Sequence, residues 1–90
     1  YLLGEVNKPG VVSLTPGPGA TVTRLILENG GMTQFANPGK VQIQRTAPDG
    51  SKKTMLIDVG RILEKGTFEE DVPLQDGDVI IVQEKGLLGL

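Results

Sequence analysis

Leu74-Gln75-Asp76-Gly77-Asp78-Val79-Ile80-Ile81-Val82, close to the end of the chain, is the stretch that decides the fold. Its last four residues are all β-branched, so they predict a strand that is apolar on both faces. Such a strand suits an interior position in a sheet better than a solvated edge. The preceding residues, Gln75 to Asp78, have the composition of a turn. We therefore expect the last strand to be central.

The start of the chain predicts a β-hairpin. Two short apolar runs, Leu2–Val6 and Val11–Leu14, are separated by Asn7-Lys8-Pro9-Gly10. Pro9 has its φ fixed near −65° and Gly10 can take the positive φ that a type II turn requires at the next position. The pattern indicates strand, tight turn, strand.

A helix is expected next. Its apolar residues recur from Val22 at the i, i+3, i+4 spacing of one buried face, and Thr21 or Thr23 can cap its start. Asn29-Gly30-Gly31 would end it with a positive-φ cap. Asn-Gly can instead turn a two-residue hairpin, but the preceding residues follow the helical period and do not alternate.

The middle of the chain predicts a second hairpin. Lys40–Arg45 alternates polar and apolar residues, Ala47–Gly50 has Pro and Gly where a type I turn prefers them, and Thr54–Asp58 is the return strand. A short helix follows over Val59–Glu64 and ends at Gly66.

Together these elements indicate one mixed α+β domain. A hairpin at the start, a helix across one face and a late buried strand make the arrangement called the β-grasp, which is ubiquitin-like. We predict a mixed sheet with one main helix packed across it and a short second helix. The last strand would pair parallel to the first, as the right-handed crossover rule permits.

The composition excludes several classes of function. The chain has no His and no Cys, so zinc and thiol chemistry lack their usual residues. Nine basic residues against eleven acidic ones give a net charge of −2, and the basic ones are scattered, which argues against nucleic acid. No run approaches the roughly 20 apolar residues of a membrane span. We expect a non-enzyme, and a fragment whose targeting signals lie outside it.

Four residues are candidates for ligand or partner binding. Asn7 and Lys8 lie at a turn tip, where binding residues gather, although Asn-x-Pro-Gly is also good turn chemistry. Arg24 projects from the polar side of the first helix, towards solvent or a next subunit. Arg45 shares its side of the pleat with apolar residues. It can face an acidic ligand, or pair with Asp58 on the neighbouring strand, and we favour the pair.

Cofactor and metal motifs are incomplete. Gly17–Thr21 precedes a helix but lacks the Gly-Lys-Ser/Thr ending of a P-loop. The acidic cluster, which comprises Glu69, Glu70, Asp71, Asp76 and Asp78, does not have the spacing of an EF-hand loop. We predict no cofactor and no metal.

Aromatic residues are scarce, with one Tyr and two Phe. Sugar rings are usually held by aromatic platforms and hydrogen bonds, so a tight glycan pocket is not expected. Phe35 and Phe68 are placed in loops, from which they can pack back onto the core. A weak contact repeated around a ring is still allowed, since multivalency can raise affinity by about 10² or more.

Four motifs in order resemble the SLBB family, the soluble-ligand-binding β-grasp domains. They are Gly4–Gly10, the helix from Thr21 to Gly30-Gly31, the strand Val41–Arg45 and the closing stretch Leu74–Val82. The chain looks most like the SLBB domains of bacterial outer-membrane polysaccharide export proteins. It departs from them at Asn29, where Ala is frequent. We assign residues 1–85 to the domain and 86–90 to a tail.

The resemblance implies a role as well as a fold. Such export proteins form rings at the outer membrane and pass capsule or exopolysaccharide outward. It implies a non-catalytic module on the periplasmic side, with other subunits and the inner-membrane export machinery as partners. Whether the polysaccharide itself is bound is left open. The alternative is a binding module attached to a redox or cobalamin-linked enzyme complex. DNA handling, known for some SLBB proteins, fits poorly with the net charge.

Overall fold

A four-stranded mixed sheet forms the centre of the computed structural model, which describes residues 1–12 and 20–85. Its strands are β1 (Leu2–Gly4), β2 (Ala36–Thr46), β3 (Lys52–Ile57) and β4 (Val79–Glu84). They lie in the order β1-β4-β2-β3, with β1 parallel to β4 and the other neighbours antiparallel. The predicted central position of the last strand and its parallel pairing with the first are both confirmed.

One face of this sheet carries the core. The register places Leu2 beside Ile80 and Ile80 beside Ile43, so these three side chains form one buried row across the sheet. Two helices of seven residues each, α1 (Val22–Glu28) and α2 (Val59–Lys65), contribute to the same core. The fully buried helical residues that do so are Val22, Ile26, Val59 and Ile62. The α+β, β-grasp-like fold is therefore confirmed.

The helices begin and end where local chemistry predicts. The Thr21 hydroxyl accepts a hydrogen bond from Arg24 N at 3.4 Å and so caps α1. Gly30 and Gly31 have φ of 90° and 78°, and Gly31 N donates to the helix carbonyl of Ile26 at 2.9 Å. In the described part of the chain, neither helix is long and apolar enough to cross a membrane.

The predicted first hairpin is wrong in its extent. Its arms meet in a single bridge, where Leu2 and Gly10 exchange backbone hydrogen bonds of 2.9 and 2.8 Å, and Val11 is exposed outside any strand. Gly4, with a φ of 87°, ends β1 early, and Val6 bridges to Met32 instead. A strand continuing beyond Gly10 would run past the start of β1. The end of that predicted strand, most of the loop at 15–20 and the tail at 86–90 lie outside the described residues.

Three further details differ from expectation. β2 starts at Ala36, before the predicted Lys40, because a register shift between Ala36 and Val41 accommodates the intervening residues. A short 3₁₀ helix, Phe68–Glu70, follows α2. Phe35 and Phe68 are both exposed, so neither packs onto the core.

Candidate functional site

Arg45 and Asp78 form the most elaborate polar contact among the described residues. Arg45 Nε donates to Asp78 Oδ1 at 3.0 Å, and Nη2 donates to Asp78 Oδ2 at 2.8 Å. Nη2 also donates to the Pro73 carbonyl at 3.0 Å, while Asp78 Oδ2 accepts from Gln75 N at 2.9 Å. The pair thereby ties the 75–78 turn to β2.

The electrostatics of this pair stabilise both charges. Burial on its own would raise the pKa of Asp78, but hydrogen bonds from Arg45 and Gln75 N outweigh it and hold that pKa below its usual range. The hydrogen bond with Asp78 raises the pKa of Arg45. Two parallel N–H···O bonds between a guanidinium and a carboxylate are also geometrically specific. The guanidinium of Arg45 is thus already engaged within the domain.

The prediction that Arg45 pairs with Asp58 is wrong, although Arg45 does form an ion pair with a carboxylate of the domain. In the β2–β3 register Arg45 lies opposite Lys53, and Asp58 is five residues further on, about 16 Å along the strand. Asp58 Oδ1 instead accepts a hydrogen bond from Arg61 N at 2.9 Å and caps α2. On the other side of β2, Gln44 pairs with Val79, so the next position along the ladder brings Arg45 to Asp78.

Asn7 and Lys8 lie together against the end of α1. Asn7 Nδ2 donates to the Gly30 carbonyl at 2.7 Å, and Asn7 N donates to Gly31 O at 3.0 Å. Lys8 is exposed and its methylenes lie beside Gly30. The turn tip therefore secures the end of the helix, and Lys8 keeps its ammonium in solvent.

Arg24 lies on the exposed side of α1, as predicted, and pairs with Glu28 one turn later at 2.6 Å. Among the described residues, no hydrogen bond or ion pair joins Asn7, Lys8, Arg24 and Arg45 to one another. The structure brings Asn7 and Lys8 together and places Arg24 and Arg45 in separate pairs.

The acidic cluster is largely engaged within the protein. Asp71 Oδ1 accepts from Thr23 N and Val72 N, at 3.2 and 2.9 Å. Glu70 accepts from the Thr67 hydroxyl and lies near Arg61. In residues 1–12 and 20–85, no three acidic side chains come together as a set that could hold a metal ion.

A surface depression of about 410 Å³ lies beside the 75–78 turn. Leu25 and Ile80 of its apolar lining belong to the core, and the other apolar residues that line it are Val11, Val12 and Leu74. Its rim includes Tyr1, Gln75 and Asp76, all exposed to solvent. The sequence does not predict this feature, because its lining comes from four separate segments and only the turn residues give a local signal. We call it the turn cavity.

The sheet face opposite the core is a second surface of interest. The registers align Leu3, Ile81, Gln42 and Leu56 in a row across all four strands. Leu3 is 41% exposed and Leu56 is 67% exposed, and the two residues between them are partly exposed. The next row, Val79, Gln44 and Thr54, is likewise uncharged. We call these two rows the open face.

Comparison with known proteins assigns the chain to a family. No curated protein matches the chain. A family model described as SLBB domain matches residues 1–82, which is most of the chain and includes all four strands but for the last two residues of β4. This family is one of ligand-binding β-grasp modules, so the resemblance of the four motifs and the observed fold agree. The chain belongs to the SLBB domain family.

Proposed function

We propose that this domain is a non-catalytic building module of a bacterial polysaccharide export protein. It would help to form a ring of subunits on the periplasmic side of the outer membrane, with the inner-membrane export machinery as a further partner. The observation that carries the proposal is the open face, an uncharged surface that contains exposed leucines on its outer strands. Membership of the SLBB family supports it.

The chemistry of the open face suits contact with another protein. The buried centre of an interface is depleted in charged residues. Leu3 and Leu56 at either side of the row supply apolar area, and Gln42 supplies an amide that can hydrogen-bond across a contact. The nearby edge of β3 carries Lys52 and Lys53, charges that discourage edge-to-edge strand pairing. Association through the face is therefore favoured over extension of the sheet.

The open face is small, so a single contact through it would be weak, and stable assembly would require many such contacts. Four strands at a spacing of about 4.8 Å span about 15 Å between the outer strands. A stable interface usually buries about 800 Å² on each partner, more than these two rows offer. In a ring the open face of each subunit would meet a different patch on one neighbour, the same interface would recur at every subunit, and closure would add avidity. We expect the isolated domain to remain monomeric at micromolar concentration.

Native mass spectrometry of the parent protein, with electron microscopy, tests the proposal. We expect a closed ring, and Leu56→Glu should weaken it by placing a charge in the contact. Leu27→Glu is the matched control, because Leu27 is another exposed leucine, 51% against 67% for Leu56, but lies on α1. A parent that is strictly monomeric, or a ring that responds equally to both variants, would overturn the proposal.

The turn cavity supports a second candidate, a ligand-binding module attached to a redox or cobalamin-linked enzyme complex. A depression of about 410 Å³ is large enough for part of a small molecule. Such a parent would carry cofactor or iron–sulfur motifs in its other segments. Purifying the parent and recording its absorption spectrum separates the two candidates, since a bound flavin, corrinoid or iron–sulfur cluster absorbs visible light and a bare export ring does not.

A further inference from the structure

We propose that the turn cavity is a subsite for one uncharged sugar ring, and that it discriminates against acidic sugars. This inference rests on the proposed export function for the choice of a carbohydrate. The chemistry of the cavity lining determines which kind of carbohydrate it would accept.

The lining combines an apolar floor with polar groups at the rim. Leu74 and Ile80 lie at the floor, while Gln75 and Asp76 lie at the rim. A pyranose has the same division, because its C–H groups form apolar patches on the ring faces and its hydroxyls project around the edge. The Gln75 amide can donate and accept hydrogen bonds, and the Asp76 carboxylate accepts them from hydroxyls. Tyr1, which is 57% exposed, adds an aromatic residue to the rim.

The charges around the cavity determine the preference. Asp78 is neutralised by Arg45, whose guanidinium makes three hydrogen bonds inside the domain. Asp76 makes no ion pair among the described residues, so the rim carries a net negative charge once the Tyr1 amino group is blocked. Among the residues that the structure describes, no Lys or Arg side chain lines the cavity. A uronic acid placed there would meet a like charge, whereas a neutral or amine-bearing sugar would not.

The terminal ammonium of Tyr1 lies near the cavity and has to be neutralised in the experiment. Tyr1 N donates to the Asp78 carbonyl at 2.9 Å, and Ile80 N donates to Tyr1 O at 2.8 Å, so the parallel pairing of β1 and β4 extends to Tyr1. An amide N–H makes the same hydrogen bond without the positive charge of an amine. The full chain is therefore used with its N-terminus acetylated, so that no terminal ammonium offsets Asp76.

Amide chemical shifts of the ¹⁵N-labelled chain test the proposal during titration with three trisaccharides. The probes are maltotriose as the neutral sugar, a glucosamine trimer as the amine-bearing one and trigalacturonate as the acidic one. We expect millimolar binding of the first two, with shifts centred on Leu74 to Asp78. Trigalacturonate should bind about fivefold more weakly at low salt, the effect of one close like charge in water. The difference should shrink as added salt screens the charge.

Two variants locate the discrimination. Asp76→Asn should raise the affinity for trigalacturonate to that for maltotriose, because the side chain keeps its size and loses its charge. Gln75→Ala should weaken the binding of all three sugars by a similar factor. Glu69→Gln, an acidic residue outside the cavity lining, is the control and should change none of the affinities.

Three results would overturn the inference: equal or tighter binding of trigalacturonate, shifts centred away from the 74–78 segment, or a flat response to every sugar at 50 mM. Each is distinguishable from failure of the proposed function, which is read from the ring of the parent protein. A ring with a flat sugar response leaves the building role standing and removes the subsite.

Discussion

Arg45 near the end of β2 and Asp78 just before β4 meet through two parallel hydrogen bonds of 3.0 and 2.8 Å, with the Asp78 side chain only 3% exposed. The contact joins residues 33 positions apart in the chain. It fixes the turn that leads into the central strand and also shapes one side of the turn cavity. Several consequences of this and other contacts can be measured.

Removal of the guanidinium should strongly destabilise the fold. Arg45→Met leaves the buried Asp78 carboxylate without its charged partner, which typically costs about 3–5 kcal/mol in the free energy of unfolding. Arg24→Met is the matched control, since it breaks the exposed pair with Glu28 and should cost less than about 1 kcal/mol. Urea unfolding followed by circular dichroism gives both values. Equal losses in the two variants would contradict this account.

The same pair should make stability depend on pH. The pKa of Asp78 is lower in the folded state than the usual value of about 3.9. The contribution of the Asp78 carboxylate to the free energy of unfolding is therefore complete above about pH 4, and it is lost as pH falls through the pKa of the folded state. We expect the stability difference between the wild type and Asp78→Asn to be largest near pH 7 and to shrink below pH 4.

Unfolding measured at several pH values between 2 and 7 provides the check for Asp78→Asn. Asp76→Asn serves for comparison, because that carboxylate lies in the same turn but makes no hydrogen bond among the described residues. A difference for Asp78→Asn that stays constant across the whole range would show that its ionisation is not coupled to folding.

Gly4 should tolerate no side chain. A Cβ at this position would overlap the Val82 carbonyl oxygen, which lies on the neighbouring strand, and the residue has a φ of 87°. Gly50 has the same φ of 87° but nothing within 4 Å of the added atom. Gly50→Ala should cost about 1 kcal/mol for the backbone conformation alone, and Gly4→Ala should cost clearly more. Thermal unfolding of Gly4→Ala and Gly50→Ala gives the two losses of stability. A similar loss in both would mean that β1 can shift away from β4 at little cost.

Two threonines of α1 should respond in opposite directions to the same substitution. Thr23 is 1% exposed and its hydroxyl has no hydrogen-bond partner among the described residues, so Thr23→Val should raise the free energy of unfolding by about 1 kcal/mol. Thr21 caps the helix, so Thr21→Val should lower the free energy of unfolding by about 1 kcal/mol. Chemical unfolding distinguishes them. A loss of stability in Thr23→Val would indicate that its hydroxyl is satisfied in solution.

Local patterns in the sequence predicted much of this fold. The β-branched run at Val79–Val82, the Thr21 cap and the stop at Gly30-Gly31 each depend on residues close together in the chain, and each was found in its predicted role. The pleat even placed Arg45 on the apolar side. Its partner could not be identified, because the choice between Asp58 and Asp78 depends on strand order and register, which are set by distant contacts.

The candidate site was less predictable for the same reason. Asn7 was singled out as a turn residue, but its hydrogen bond to the Gly30 carbonyl bridges 23 positions. The turn cavity exists only when Tyr1, α1 and β4 are in place around the 75–78 turn. Sequence periodicity describes individual elements, whereas a surface depression is a property of their assembly.

The parallel pairing of β1 with β4 determines how the domain would carry tension. Because the two strands are neighbours that run in the same direction, the start of β1 and the end of β4 lie at opposite ends of the sheet. A pull applied at these two points would load the hydrogen bonds between them together, in shear, rather than breaking them one at a time. The domain would therefore act as a link that resists stretching along the line of the chain.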